Sequence, residues 1–407
     1  MNSKAFKVLF LALTYALVAA CSGATSSSGG GTGVTGSLDS GFEALTDRDL
    51  ATAASEYCAV FDADMTDTEA AFGCFISRQL SLPESSEADT ILAAFSEDPI
   101  DVETDILEDV FDVMAASSSG AGTFSYTEFD HLPFNDILTG GFSFVGTAAR
   151  LLDALITTGT TEAELKTEIL ALRDDYEEFE DMLDVVVADG SFAFNLPSEL
   201  FNSSADIEIT HNDAQLLIGY VKGVLVNLNI LEAYDVGVVI EDIVESSGTD
   251  IDQEILTADL NGTGETVNGV TVDTTPFLTL DNEALVTGSR DLLAESLAYL
   301  SSGLTAIVGG ETSGAIEELF GDNAANNSGI EDSLALIDDL AESLENSTLV
   351  QLTAIERRAI SINLDAFFDN PPSAGDVTDS DPFVFENGEV RIVESYFNDL
   401  LDGIVEY

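Results

Sequence analysis

The sequence predicts a mainly α fold, a multi-helix bundle or array of antiparallel helices with a minor β-hairpin near the C-terminus. Three observations lead there. Leu165, Ile169, Leu172, Tyr176, Phe179, Leu183 and Val186 recur at alternating steps of four and three, which lays one apolar seam along a helix of about 25 residues. Leu216 to Leu231 is apolar on nearly every face, the pattern of a helix buried at the centre of a bundle. Phe383 to Val393 alternates around Asn387-Gly388, a dipeptide that closes tight hairpins.

Taken in order, the folded body starts near Gly41. Asp47 to Asp62 reads as one helix and Asp67 to Leu80 as a second, joined by the polar turn Ala63-Asp64-Met65-Thr66. Asp67 is placed to cap the second helix, with Glu69 in its first turn. Ser117 to Gly122 is a Ser/Gly break. The Leu165–Val186 seam follows, then the Leu216 to Leu231 helix. With Lys222 inside it and about 16 residues in length, that helix falls short of a membrane span. Asn261 to Leu280 mixes Gly, Thr and Val as extended structure does. Two more helices carry the seams Leu293, Leu297, Leu300, Leu304, Ile307 and Ile330, Leu334, Ile337, Leu340, Leu344. The expected organisation is a helical domain over 41–247, a connecting segment over 248–281, and a helical C-terminal region over 282–407 that holds the hairpin 383–393. The length admits one large domain or two moderate ones.

Aspartate and glutamate number 76 against 12 lysines and arginines, a formal charge of −64, yet 45% of residues are hydrophobic. High charge joined to high hydrophobicity excludes a disordered acidic tail: a core forms and the carboxylates coat it. Repulsion within such a coat lowers stability unless salt screens it. The screening length falls from about 10 Å at 0.1 M to about 3 Å at 1 M. In this respect the composition resembles that of proteins from halophilic organisms. No basic patch occurs, so nucleic acid is excluded as a partner. Cations, cationic ligands and basic proteins form the electrostatically admitted class.

At the N-terminus Lys4 and Lys7 precede an apolar run from Val8 to Val18, and small residues lead into Cys21. That order marks a secretory signal, whose apolar core is too short to cross a bilayer. Val18-Ala19-Ala20-Cys21 resembles the lipobox of bacterial lipoproteins. The resemblance implies a signal peptide over 1–20, removed by signal peptidase II, lipidation of Cys21, and attachment to the membrane through the acyl chains. Ser22 in place of Asp resembles the signal for transport to the outer membrane of a diderm envelope. Residues 21–40 then comprise the lipidated cysteine and a Ser/Gly-rich tether with a reach on the order of 25 Å. Ala53, Tyr57, Val60, Ala70 and Gly73 resemble the junction between two tetratricopeptide repeats, over 47–80. The turn proline and the roughly 34-residue period of that family are missing, which implies a single helical hairpin.

Few residues carry chemistry. With Cys21 acylated, Cys58 and Cys74 remain, eight residues either side of Thr66. Antiparallel helices turning there bring them face to face, and outside the cytoplasm the expectation is a disulfide, with two reduced core cysteines as the alternative. Closing such a loop is worth about 3 kcal/mol in the chain-entropy model. His131 and His211 are the two histidines, and no GxSxG, HExxH, CxxC or P-loop accompanies them. Gly31-Thr32-Gly33-Val34-Thr35-Gly36 matches GxGxxG by chance, inside the tether. Among 76 acids the spacing of a carboxylate pair carries no information, and no tryptophan is present to stack a sugar. Asp259, Asn261 and Thr263, followed by Gly264 and Glu265, alternate oxygen side chains like the first half of an EF-hand loop. The twelfth place is Val270 instead of glutamate, so calcium is a weak candidate and no other cofactor is indicated.

The expected function is therefore a non-enzymatic binding or scaffold module on a lipid anchor, with another envelope protein or a peptide as its partner. A calcium- or solute-binding lipoprotein is the first alternative. An extracytoplasmic hydrolase is the second.

Overall fold

The computed structural model describes residues 36–81, 162–201, 206–235, 253–276, 279–309, 328–346, 350–351, 361–374, 383–386, 389–392 and 404–406. Ten helices and nine short strands lie among them, with every strand pair antiparallel. The mainly α architecture with a minor hairpin is the one the sequence predicts.

The first three helices are α1 (Leu38–Thr46), α2 (Leu50–Ala63) and α3 (Thr68–Ser81). Each opens on a side-chain oxygen. Ser37 accepts from the Ser40 amide at 3.3 Å, Asp49 from Thr52 at 3.1 Å and Asp67 from Ala70 at 3.0 Å, which satisfies amides that a helix start leaves open. Asp64 accepts the Thr66 amide in the turn between α2 and α3.

The long helix α4 (Glu162–Val187) packs on α3. Its seam is apolar for a reason: Ile169, Leu172, Tyr176, Phe179, Leu183 and Val186 are all buried. Strands β1 (Ala193–Leu196) and β2 (Ile207–Thr210) form a ribbon that the sequence reading did not anticipate, with α5 (Ser198–Phe201) between them. Phe194, Leu196, Ile207 and Ile209 point its inner face at the core.

Helix α6 (His211–Ala233) follows, and Thr210 and Asp213 form its capping box. It is long and apolar enough to cross a membrane, but 78% of the relevant window is buried inside the fold. After α7 (Gln253–Leu260) and the small hairpin β3 (Thr266–Val267) and β4 (Val270–Thr271) comes α8 (Glu283–Val308). Helix α9 (Ser328–Glu345) packs on α8 in turn. Strands β5 (Val350–Gln351), β6 (Ser361–Ile362) and β9 (Val405–Glu406) make a three-stranded sheet, and α10 (Leu364–Asp369) follows β6. Strands β7 (Phe383–Glu386) and β8 (Glu389–Ile392) are the expected C-terminal hairpin, pairing Phe383 with Ile392 and Glu386 with Glu389.

Helices α3, α4, α6, α8 and α9 are packed each against the next, and their buried side chains join one apolar core. Glycines let α6 and α8 approach closely. A Cβ on Gly219 would lie 2.7 Å from Leu300 Cδ2, and one on Gly303 would lie 2.5 Å from Leu216 Cδ2. Ser296 donates to the Gly219 carbonyl at 2.6 Å, and Asn229 donates to Ser289 at 3.1 Å. Rising numbers on α6 meet falling numbers on α8, so the pair is antiparallel. The segment 248–281 thus lies between two helices that share an interface, and its described part holds α7 and the β3–β4 hairpin.

Candidate functional site

Three places in the fold gather groups with chemical potential. The first is the α2–α3 hairpin. Cys58 and Cys74 form a disulfide across it, with Cα atoms 4.8 Å apart; Cys74 is fully buried and Cys58 half-buried. Beside it the Tyr57 ring lies between Gly41 of α1 and Gly73 of α3, where any Cβ would run into ring carbons. Phe194 of β1 meets that ring edge-on at 6.2 Å between centroids. Burial, then the fields of Glu69 and Asp39, push the pKa of the Tyr57 hydroxyl upward. That hydroxyl is buried without a hydrogen-bond partner. Ala53, Tyr57, Ala70 and Gly73 are all buried in this interface, and Val60 is half-buried.

The second place is the middle of α6, where Lys222 is 2% exposed. Its ammonium donates to Glu180 on α4 and, at 2.8 Å, to Glu295 on α8, and it sits 5.9 Å from the centroid of the Tyr299 ring. Burial works against the charge on Lys222. Hydrogen bonds to Glu180 and Glu295, with the fields of Glu180 and Asp184, more than offset it, so the proton is held more tightly than usual. Asp184 sits at the rim and also holds its proton more tightly than usual. Burial raises its pKa, Lys222 lowers it, and Glu180, Glu295 and Asp181 raise it again. An ammonium so firmly protonated is neither a base nor a nucleophile. What it does is fasten three helices, since stranding it unpaired would cost several kcal/mol.

Lys222 is one instance of a wider arrangement. Arg78 of α3 pairs with Asp175 and Glu178 of α4, and Arg173 of α4 pairs with Glu232 of α6. Lys166 of α4 lies 3.6 Å from Asp281, which precedes α8. Arg290 of α8 donates to Asp365 of α10 and to the Leu344 carbonyl of α9. Arg48, in the link between α1 and α2, donates to the Glu199 carbonyl of α5. Thus Arg48, Arg78, Lys166, Arg173, Lys222 and Arg290 each tie together two separate parts of the fold.

The third place is the loop after α7. Asp259 is 3% exposed, and its carboxylate accepts the Asp273 amide at 2.8 Å, which fastens the turn to the strand returning beside it. Asn261 is half-buried, Thr263 accepts the Glu265 amide at 3.4 Å, and the Glu265 side chain is exposed. Gly262, at φ +59°, needs its left-handed backbone and its missing Cβ, which would meet the Pro276 nitrogen. The four oxygen-bearing residues named from the sequence therefore divide between a core contact and the solvent. Among the described residues, no group of three or more His, Cys, Asp or Glu side chains is placed to hold a metal ion.

His211 is the first residue of α6, as its position before the apolar run implies, and its amide donates to the Phe192 carbonyl at 3.1 Å. Cys21 and His131 lie outside the described residues. Sequence reasoning registered Lys222 only as an interruption in an apolar helix. The available signal was that a lone cation in such a helix needs acids from its neighbours.

The chain matches no family model, no curated protein and no solved structure among those compared.

Proposed function

We propose that this protein is a lipid-anchored module of the bacterial envelope, acting through binding or scaffolding rather than catalysis. The observation that carries the reading is Val18-Ala19-Ala20-Cys21, followed at once by a run of Ser, Gly and Thr up to the start of the folded body. Acyl chains on Cys21 supply the membrane affinity, and the tether holds the body clear of the headgroups. The Cys58–Cys74 disulfide supports the reading, because such bonds persist in oxidising compartments. Cross-linked helices with an acidic exterior suit recognition of a peptide or a partner helix, and they repel nucleic acid.

The test is metabolic labelling with a tagged palmitate in a diderm host, followed by mass spectrometry of the mature N-terminal peptide. Label on a chain beginning at Cys21, lost in Cys21→Ala, is the expected result. A mature protein that is unlabelled, or that begins elsewhere, refutes the proposal.

A further inference from the structure

We infer that the Cys58–Cys74 bond is a mechanical stop at the anchored end of the fold, preventing tension on the tether from peeling the body beyond residue 58. This rests on the lipid-anchored reading. Chain order puts the tether directly before α1, so a pull between membrane and body enters at Ser37. The first ties it meets are the Ser37 amide on Glu56 at 2.9 Å, Arg48 on the Glu199 carbonyl, and the Tyr57 ring against Phe194.

Helix α3 is fastened differently. Phe75 meets Phe179 of α4 at 5.5 Å between centroids, Phe72 meets Phe192 and Phe194 at 5.3 and 5.0 Å, and Arg78 lies over the Phe179 ring while pairing with Asp175 and Glu178. Without a cross-link, a pull on Ser37 would strip α1, then α2, then α3, one turn at a time. The disulfide changes the route. Load arriving at Cys58 passes straight to Cys74, in the middle of α3, and residues 59–73 never enter the loaded path. Cys74 is fully buried. The load is therefore delivered to the part of the hairpin seated in the core, and the exposed tip at Met65 is bypassed.

The experiment stretches the full mature chain in optical tweezers, with one handle on residue 21 and the other at exposed Ala294 of α8 through a bio-orthogonal side chain. Traces are compared with and without dithiothreitol. With the bond intact, the first extension stops at residue 58. Reduction lengthens it by about 50 Å, the extended span of the 16-residue separation less the 4.8 Å already bridged, and lowers the force at which α3 leaves α4. The Cys58→Ser/Cys74→Ser variant should reproduce the reduced trace without reductant. An N-terminal rupture force unchanged by dithiothreitol overturns the inference, as does a first release that runs through α3 with the bond intact. The handles replace the acyl chains, so failure here is distinguishable from failure to label Cys21.

Discussion

Gly303→Ala and Gly288→Ala make the same chemical change on the same helix, α8, yet only Gly288→Ala should stabilise the fold. Both replace glycine in a helix interior, where alanine is favoured by about 1 kcal/mol through backbone entropy. At Gly288 the new methyl meets nothing within 4 Å, so that gain should be kept. At Gly303 it would lie 2.5 Å from Leu216 Cδ2, 2.6 Å from Leu216 Cγ and 3.2 Å from the Asn212 carbonyl. Carbon atoms pack comfortably at about 3.5–4.0 Å, so Leu216 must turn or α6 must retreat. Overpacking of this kind costs about 1–3 kcal/mol. Set against the shared helix gain, Gly303→Ala should be neutral or destabilising by up to about 2 kcal/mol.

The difference between the two variants isolates packing, because the propensity term cancels. It should be about 1–3 kcal/mol, or roughly 1–4 °C in Tm for a chain of this size. Urea titration in molar NaCl is the assay. Shortening the obstructing side chain with Leu216→Val should cost less in the Gly303→Ala background than in the parent, since the two sites share one space. Equal stabilisation of both glycine variants would refute the close approach of α6 and α8.

Tyr57→Phe removes a buried hydroxyl that has no partner, and should raise stability by about 1 kcal/mol, read as an upward shift in Tm; a loss would mean the hydroxyl is satisfied. Lys222→Met leaves Glu180 and Glu295 facing each other and should cost about 2–3 kcal/mol, below the roughly 3–5 of a fully buried pair because the Glu295 side chain is 59% exposed; adding Glu180→Gln should restore part of the loss in a double-mutant cycle. Burial and its acidic neighbours raise the pKa of Asp184 in the fold, so its favourable contribution is complete only below its unfolded value and is lost as pH rises through the folded one. Asp184→Asn should therefore raise Tm at pH 7, with the gain shrinking as pH falls toward the carboxylate range. Helicity and Tm should both rise from low to molar NaCl; identical circular dichroism at the two salt levels would count against a salt-dependent fold.

The helices were legible because their signal is periodic and local. Seam residues such as Ile169, Leu172 and Tyr176, or Leu293, Leu297 and Leu300, declare a buried face by spacing alone, and all of them are buried. Asp67 could be read as a cap because an N-cap needs only the next three residues. The β1–β2 ribbon was not legible: four-residue strands alternating Phe194 with Asn195 and Ile207 with Glu208 are too short to stand out from their surroundings. The partners of Lys222 were invisible for another reason. Glu180 and Glu295 lie 42 and 73 residues away in the chain, and only the antiparallel register of α4, α6 and α8 brings them to one point. The contact of Gly303 with Leu216 belongs to the same class, where residue type is local information and the neighbour is not.

Salt acts on this molecule through two opposed terms, and their geometry decides the sign. It weakens ion pairs and relieves repulsion among carboxylates, but screening works through solvent and is weakest where solvent is excluded. Two of the pairs that join helices are sheltered: the Lys222 side chain is 3% exposed, and those of Arg173 and Glu232 are 18% and 21% exposed. Acids outnumber lysines and arginines 76 to 12, so repulsion among carboxylates exceeds what ion pairs can offset. Added salt therefore removes more repulsion than attraction, and stability should climb until the surface field is screened. A lysine placed on the surface would lose its worth in that same medium, whereas one between helices keeps it. At molar salt, positive charge in such a fold keeps its worth only where solvent is excluded, as at Lys222.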